Sequence, residues 1–246
     1  RSPGLRSGEL AIARVIPFAS SRPEPLNHAI VLVDTSASRA LGIADQARAV
    51  RDVLAKLPPD TTVHVACFDQ NVEPVFDGRA GDFGDEQVAA IIERGALGAS
   101  NFEEALDWAA EQAKKTKATR LVFVTDGVAT AGETDAQKLR LKVESLREAG
   151  ITRMDALAIG GIRDDGFLRT VTRGVLDRDG VVLDTKLGAD ALARRLQEAT
   201  SSGVPVKVEG ARWYWPQSLD GLQTGDEVLV YAELDQEASS APPQQP

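Results

Sequence analysis

Apolar and polar positions along the chain fall into two alternating kinds of run. One kind is short, continuous and rich in β-branched residues: His28–Asp34 (HAIVLVD), 61–69 (TTVHVACFD), 119–127 (TRLVFVTDG), 151–160 (ITRMDALAIG) and 180–186 (GVVLDTK). Runs of this length and composition predict strands buried on both faces. Segment 71–78 (NVEPVFDG) reads as an edge strand, because Pro74 has no N–H to give to a ladder. The other kind repeats its apolar positions every three or four residues. Leu41, Ala44, Ala47, Val50, Val53, Leu54 and Leu57 form one such face, stopped by Pro58 and Pro59. Phe102, Leu106, Ala109 and Ala113 form another. Further helices are predicted over 84–95, 134–150, 166–173 and 189–200, the second opening on a Thr134–Gln137 capping box and closing at Gly150.

Strand and helix alternate from about residue 27 to residue 200. That order predicts an α/β domain with a mostly parallel central sheet, helices on both faces and right-handed crossovers. The flanks differ. Segment 9–17 alternates loosely and ends in the breaker cluster SSRPEP. After Ser201 the helical period disappears, and 204–215 and 227–234 read as strands carrying Trp213, Tyr214, Trp215 and Tyr231. The expected organisation is therefore an N-terminal strand and linker (1–26), the α/β domain (27–200), a C-terminal β element (201–235) and a disordered tail (236–246). The N-terminal strand is expected to pair with the C-terminal β element across the domain inserted between them.

Composition narrows the function. The 246 residues are 43% hydrophobic, enough for a substantial core, and the net charge of −9 argues against a nucleic-acid partner, which needs a basic surface. The single cysteine, Cys67, excludes an internal disulfide and reads as a buried inert thiol. No apolar run approaches the roughly 20 residues of a membrane span. The opening RSPGLRSGEL reads as part of a larger polypeptide.

Candidate chemistry lies where apolar strands stop at a carboxylate. Asp34 ends one strand and is followed by Ser36 and Ser38; Asp126 ends another. If these strands adjoin where the strand order reverses, their ends share one crevice, and the loop carrying Ser100 enters it. Asp34, Ser36, Ser38, Ser100 and Asp126 are hard oxygen ligands without His, Cys or Met, a set suited to Mg²⁺ and able to leave coordination positions open. Each also has an ordinary reading. Asp34 suits a turn, Ser38 stands where a helix N-cap would, and Ser100 with Glu103 forms an S-x-x-E capping box.

The segments DTSAS, GASNFEEAL and LVFVTDG resemble the three parts of the metal-ion-dependent adhesion site of von Willebrand factor type A domains, over about residues 27–200. The resemblance implies a Rossmann-like fold with strand order 3-2-1-4-5-6. It implies a metal, Mg²⁺ with Mn²⁺ or Ca²⁺ as alternatives, contacted by Ser36, Ser38 and Ser100, with Asp34 and Asp126 acting directly or through water. Ser100 replaces the usual Thr and lacks the methyl that stiffens it. The segment WYWPQSLDGLQTGDEVLVYAEL is similar to the β segment after the A domain in inter-alpha-trypsin inhibitor heavy chains and bacterial relatives carrying a VIT domain. An extracytoplasmic or secreted setting is implied by this resemblance alone.

The expected function is a non-enzymatic adhesion or assembly module that captures an acidic residue of a protein partner through the metal. A structural domain with a vestigial site is the alternative. Metal-assisted phosphoryl transfer fits less well, because Ser36 stands where a second Asp would flank a phosphate-transfer centre. His28 and His64 read as core or edge histidines, and Lys114, Lys115 and Lys117 as a solvated helix end. The paired glycines Gly160 and Gly161 lack the spacing of a nucleotide loop, and no G-x-S-x-G elbow is present.

Overall fold

A computed structural model describes residues 4–18 and 22–235, so the expected disordered tail, 236–246, lies outside the described residues. The strands are β1 (Gly4–Ser7), β2 (Leu10–Val15), β3 (His28–Asp34), β4 (Thr62–Phe68), β5 (Val72–Arg79), β6 (Arg120–Thr125), β7 (Arg153–Ala158), β8 (Val182–Asp184), β9 (Val204–Pro205), β10 (Ala211–Trp215), β11 (Ser218–Leu219) and β12 (Val228–Leu234). The helices are α1 (Ile43–Leu54), α2 (Asp85–Arg94), α3 (Phe102–Thr116), α4 (Ala136–Glu148), α5 (Asp165–Thr172) and α6 (Ala189–Leu196). The chain divides into two compact units: Arg1–Arg22 with Ala199–Pro246, and Pro23–Glu198.

The larger unit is a six-stranded sheet ordered β5-β4-β3-β6-β7-β8. Counted from its own first strand this is 3-2-1-4-5-6, the expected order. All pairs are parallel except β4 with β5. The continuous apolar strands work because both faces are covered. Ala29, Val31 and Val33 of β3 face a core with α1, α2 and α6, through residues such as Val50, Ile91 and Leu192. Ile30 and Leu32 point the other way, into a core with α3, α4 and α5, through Leu106, Val143 and Leu168. β5 is the edge strand, as Pro74 predicts, and its ladder shifts register between Val65 and Ala66 of β4, next to that proline's partner. Cys67 is fully buried in β4, and burial pushes its thiol up to about 12, so it stays protonated and unreactive.

The smaller unit is a four-stranded antiparallel sheet ordered β1-β2-β12-β10, with β9 and β11 paired separately. β2 and β12 run side by side from Leu10 opposite Glu233 to Val15 opposite Val228, so the two ends of the chain meet here. Two features depart from the sequence reading. β1 pairs with β2 as a hairpin through the Gly8 turn (φ +60°), where the sequence reading placed no strand before residue 9. The predicted strand 204–215 is broken into β9 and β10, and Gly210 between them adopts φ +70°, a conformation that interrupts a ladder.

Candidate metal centre

β3 and β6 are neighbours, and the chain leaves them in opposite directions across the sheet. Their register aligns Val33 with Val124, which sets Asp34 beside Thr125 and Asp126 just beyond it. The five predicted residues therefore gather at one carboxyl-terminal edge. Asp34, Ser36, Ser100 and Asp126 are buried to 2% exposure or less, and Ser38 is exposed above them.

Asp34 anchors the centre. Its Oδ1 accepts from the Ser36 N–H at 2.9 Å; its Oδ2 accepts from the Thr125 hydroxyl at 2.6 Å and the Ser100 hydroxyl at 3.2 Å. All of these partners are neutral. Burial therefore dominates and raises the carboxyl above its usual range, against the bonds from Thr125 and Ser36; the Asp126 charge adds to the rise. Gln46 of α1 donates to the Asp34 carbonyl at 2.6 Å and fixes the strand end against the first helix.

The serine hydroxyls turn inward. Ser36 Oγ and Ser38 Oγ lie 3.0 Å apart, and Ser100 Oγ donates to Asp34. The capping readings fail for both motifs. Ser36 stands at the N-cap of a single 3-10 turn, Ala37–Arg39, without a side-chain cap bond, and α1 starts at Ile43 with Gly42 as its N-cap, again with no side-chain cap. α3 is capped by Asn101, whose side chain accepts from the Glu104 N–H at 3.2 Å, while Glu103 accepts from the Glu133 N–H. The backbone of Ser100 is occupied too: its N–H donates to Thr130 Oγ1 at 2.8 Å and its carbonyl accepts from the Thr130 N–H at 3.0 Å. The capping box read at Thr134–Gln137 is likewise displaced by one residue; Asp135 caps α4 and accepts from the Gln137 and Lys138 N–H groups.

Asp126 is held differently. Its Oδ1 accepts from the Val128 N–H at 2.9 Å, and its Oδ2 meets Arg39 Nη2 at 2.7 Å. Arg39 is 8% exposed, and it also donates from Nη1 to the Ile159 carbonyl at 3.1 Å and from Nε to Ser38 Oγ at 3.3 Å. Sequence reading missed Arg39 and Thr125. Neither carries a distinguishing signal in the sequence: Thr125 is one more residue of a buried strand, and Arg39 stands at the start of a helical pattern.

Among the described residues no three His, Cys, Asp or Glu side chains form a metal cluster, so a metal here depends on hydroxyls. The donor set is all hard oxygen, the chemistry that would suit a hard divalent ion, with the Ser36 and Ser38 hydroxyls side by side and hydrogen-bonded at 3.0 Å. Two carboxylates lie at the same strand ends, Asp34 without a cationic partner and Asp126 paired with Arg39. Such an ion would supply Lewis acidity and an exchangeable coordination position.

The surrounding loops hold this edge together. The Ala37 N–H donates to the Gly98 carbonyl at 3.0 Å and the Leu97 N–H to the Thr35 carbonyl at 3.1 Å. Thr35 points away from the serines, to the Phe68 carbonyl and Asp69, and Arg94 of α2 bridges Asp69, Glu73 and Thr35. Leu41, after β3, Leu97, before α3, and Ile162, after β7, are exposed at 104%, 72% and 85% on segments bonded to the crevice. The first follows Arg39, the second donates its N–H to Thr35, and the third lies between Ile159, which accepts from Arg39, and Asp164, whose N–H donates to the Asp126 carbonyl.

Solved structures with the same fold include a von Willebrand factor type A protein from Catenulispora acidiphila (TM-score 0.56, 15% identity, covering 92% of this chain and 61% of that one). The chain thus spans about three-fifths of the length of that relative. BatB from Bacteroides thetaiotaomicron matches with TM-score 0.52 and 13% identity over 69% of this chain and 96% of its own. The manganese-loaded TRAP protein of Plasmodium vivax matches with TM-score 0.52 and 13% identity over 92% and 97%. No curated protein matches the sequence. The sequence model of the von Willebrand factor type A domain matches residues 27–175, more than half of the chain. The chain belongs to the von Willebrand factor type A domain family.

Proposed function

We propose that this chain is a non-enzymatic protein-binding module. It holds Mg²⁺ with Ser36, Ser38 and Ser100, backed by Asp34 and Asp126, and presents the metal's open position to a carboxylate of a partner. Domains of this family are in general interaction modules, and one relative in fold was solved manganese-loaded. The observation that carries the reading is the direction of the hydroxyls. They turn to one another and to Asp34 and leave the helix termini to Gly42 and Asn101. The exposed Leu41, Leu97 and Ile162, on segments next to the crevice, favour a protein surface as the partner, because a small hydrophilic ligand would leave them exposed to water.

In this reading an A domain (27–200) is inserted in a β element built from 1–26 and 201–235, of the kind found beside VIT domains, with a tail at 236–246. The test is a Mg²⁺ titration followed by melting temperature. Wild type should gain stability with Mg²⁺ and Asp34→Ala should not; equal responses would remove the site assignment. The second reading, a structural domain with a vestigial site, draws on the ion pair between Arg39 and Asp126. It predicts no response to Mg²⁺ in either protein.

A further inference from the structure

The crevice already contains a cation. Arg39 lies five residues beyond Asp34, and its guanidinium reaches the second strand end instead of solvent. Nη2 pairs with Asp126, Nε with Ser38 Oγ and Nη1 with the Ile159 carbonyl, so all three of its nitrogens are engaged at 8% exposure. The seat is built for it. A Cβ at Gly160 would lie 2.5 Å from Arg39 Nη1 and 3.0 Å from Nη2, and Gly160 adopts φ +100°, where other residues are strained. Two of the oxygens the guanidinium holds, on Asp126 and Ser38, belong to the proposed metal set.

We infer that Arg39 is a resident counter-cation that competes with the divalent metal for Asp126 and Ser38 and so sets the metal affinity of the site. The inference rests on the metal-binding reading given above. A guanidinium and a divalent ion sharing one carboxylate in a buried site repel each other strongly, and low exposure leaves little water to screen them. Loading the metal therefore requires the guanidinium to leave Asp126. Losing one charge-assisted bond to Asp126 and one weaker bond to Ser38 is the cost of loading, and it lowers affinity. The arrangement also has a defined empty state. With the metal absent, Asp126 keeps a partner and the strand end stays formed.

Arg39→Met tests this, since methionine keeps an apolar stem and removes the charge. Binding of Mn²⁺ alone is followed by the loss of the free-ion electron paramagnetic resonance signal, with circular dichroism as the control for folding. Arg39→Met should bind Mn²⁺ at least tenfold more tightly than wild type, with Arg39→Lys between them. Gly160→Ala, which crowds the guanidinium without touching a proposed ligand, should shift affinity in the same direction. Equal or weaker binding by folded Arg39→Met, while wild type binds, would overturn the competition and make Arg39 a support for Asp126. No Mn²⁺ binding by wild type or by either variant would overturn the metal reading and this inference with it.

Discussion

Asp34 is a costly residue for the fold as it stands, and the proposed metal would make it useful. Its carboxylate is fully buried, and its bonds come from an amide and two hydroxyls with no cation among them. A buried charge with only neutral partners destabilises a fold, and burial accordingly raises this carboxyl above its usual range. A divalent ion would reverse the sign of that contribution. Asp34→Asn should therefore raise the melting temperature of metal-free protein, by roughly 2–4 °C for each kcal/mol recovered in a domain of this size, and abolish the response to Mg²⁺. Thermal melts in chelator and in Mg²⁺ check both; a metal-free melting temperature lowered by the substitution would contradict the argument. The placement of Asp34, Ser36 and Ser38 was legible because they are contiguous and follow a strand whose end is plain. Ser100 and Asp126 were legible through the same geometry, two more segments ending at one sheet edge. Arg39 and Thr125 were not, since an arginine opening an amphipathic helix and a threonine inside a buried strand are ordinary until the register of β3 against β6 brings them to the carboxylates.

Between elements, two polar clusters join strands whose sequences promised only apolar contact. At the end of the sheet opposite the crevice, Arg120 and Arg153 are register partners that open β6 and β7, and both pair with the fully buried Asp155. Arg120 also donates to the Leu196 carbonyl at 3.0 Å and Arg153 to the Glu198 carbonyl at 2.7 Å, so the end of α6 is tied to the sheet. Burial alone would raise Asp155, but the two guanidiniums outweigh it and hold the carboxyl below its usual range. Asp155→Ala would leave both arginines deprived of a buried counter-charge, and chemical denaturation should show a loss of about 3–5 kcal/mol. A loss under 1 kcal/mol would mean that Glu24, which also meets both arginines, suffices alone. The second cluster joins His28 and His64, read from the sequence as core or edge histidines: their Nε2 atoms lie 2.7 Å apart, and the Asp77 carboxylate lies 3.1 Å from His64 Nδ1. Burial, then the neighbouring His64, lowers the pKa of His28 below its ordinary 6.5, and Asp77 opposes this. The unfolded chain then binds more protons than the folded one just below 6.5, so stability falls on acidification through that window. Melting temperatures between pH 7.5 and 5.5 should drop, and less so in His28→Gln. Helix and strand periods revealed the layers because they report only which face is apolar. They are blind to charges buried in pairs and to the β1 hairpin, whose strand is exposed throughout and carries no alternation.

For the molecule as a whole, the distribution of exposed apolar side chains is uneven in a way that bears on the partner. Within Pro23–Glu198 the described residues include six exposed large apolar side chains: Leu41, Ile92, Leu97, Leu141, Ile162 and Leu187. Four of them, all but Ile92 and Leu141, stand in segments between the carboxyl end of a strand and the next helix or at the mouth of the crevice beside Gly98. Water-exposed leucines scattered singly need no explanation, but a group around one polar site marks a surface that is covered when the site is used. Charge sets the order of events. Asp34, Asp126 and Arg39 sum to −1 without a metal, which repels a carboxylate. In the proposed loaded state the guanidinium has left Asp126, the two carboxylates balance the ion, and its open position takes the partner's carboxylate. A partner segment with an acidic residue between two large apolar ones suits both the metal and this group. Each such apolar side chain fully buried contributes about 1.5–3 kcal/mol, so partial burial against this group should still give at least a tenfold gain. The peptides Ac-Leu-Asp-Leu-NH2 and Ac-Gly-Asp-Gly-NH2, compared by nuclear magnetic resonance titration in Mg²⁺, measure it directly. The leucine peptide should bind more tightly, chelator should abolish binding of both, and the triple variant Leu41→Ser, Leu97→Ser, Ile162→Ser should lose the preference while keeping its thermal response to Mg²⁺. Equal affinity of the two peptides for wild type would show that this group serves something other than the residues flanking the captured carboxylate.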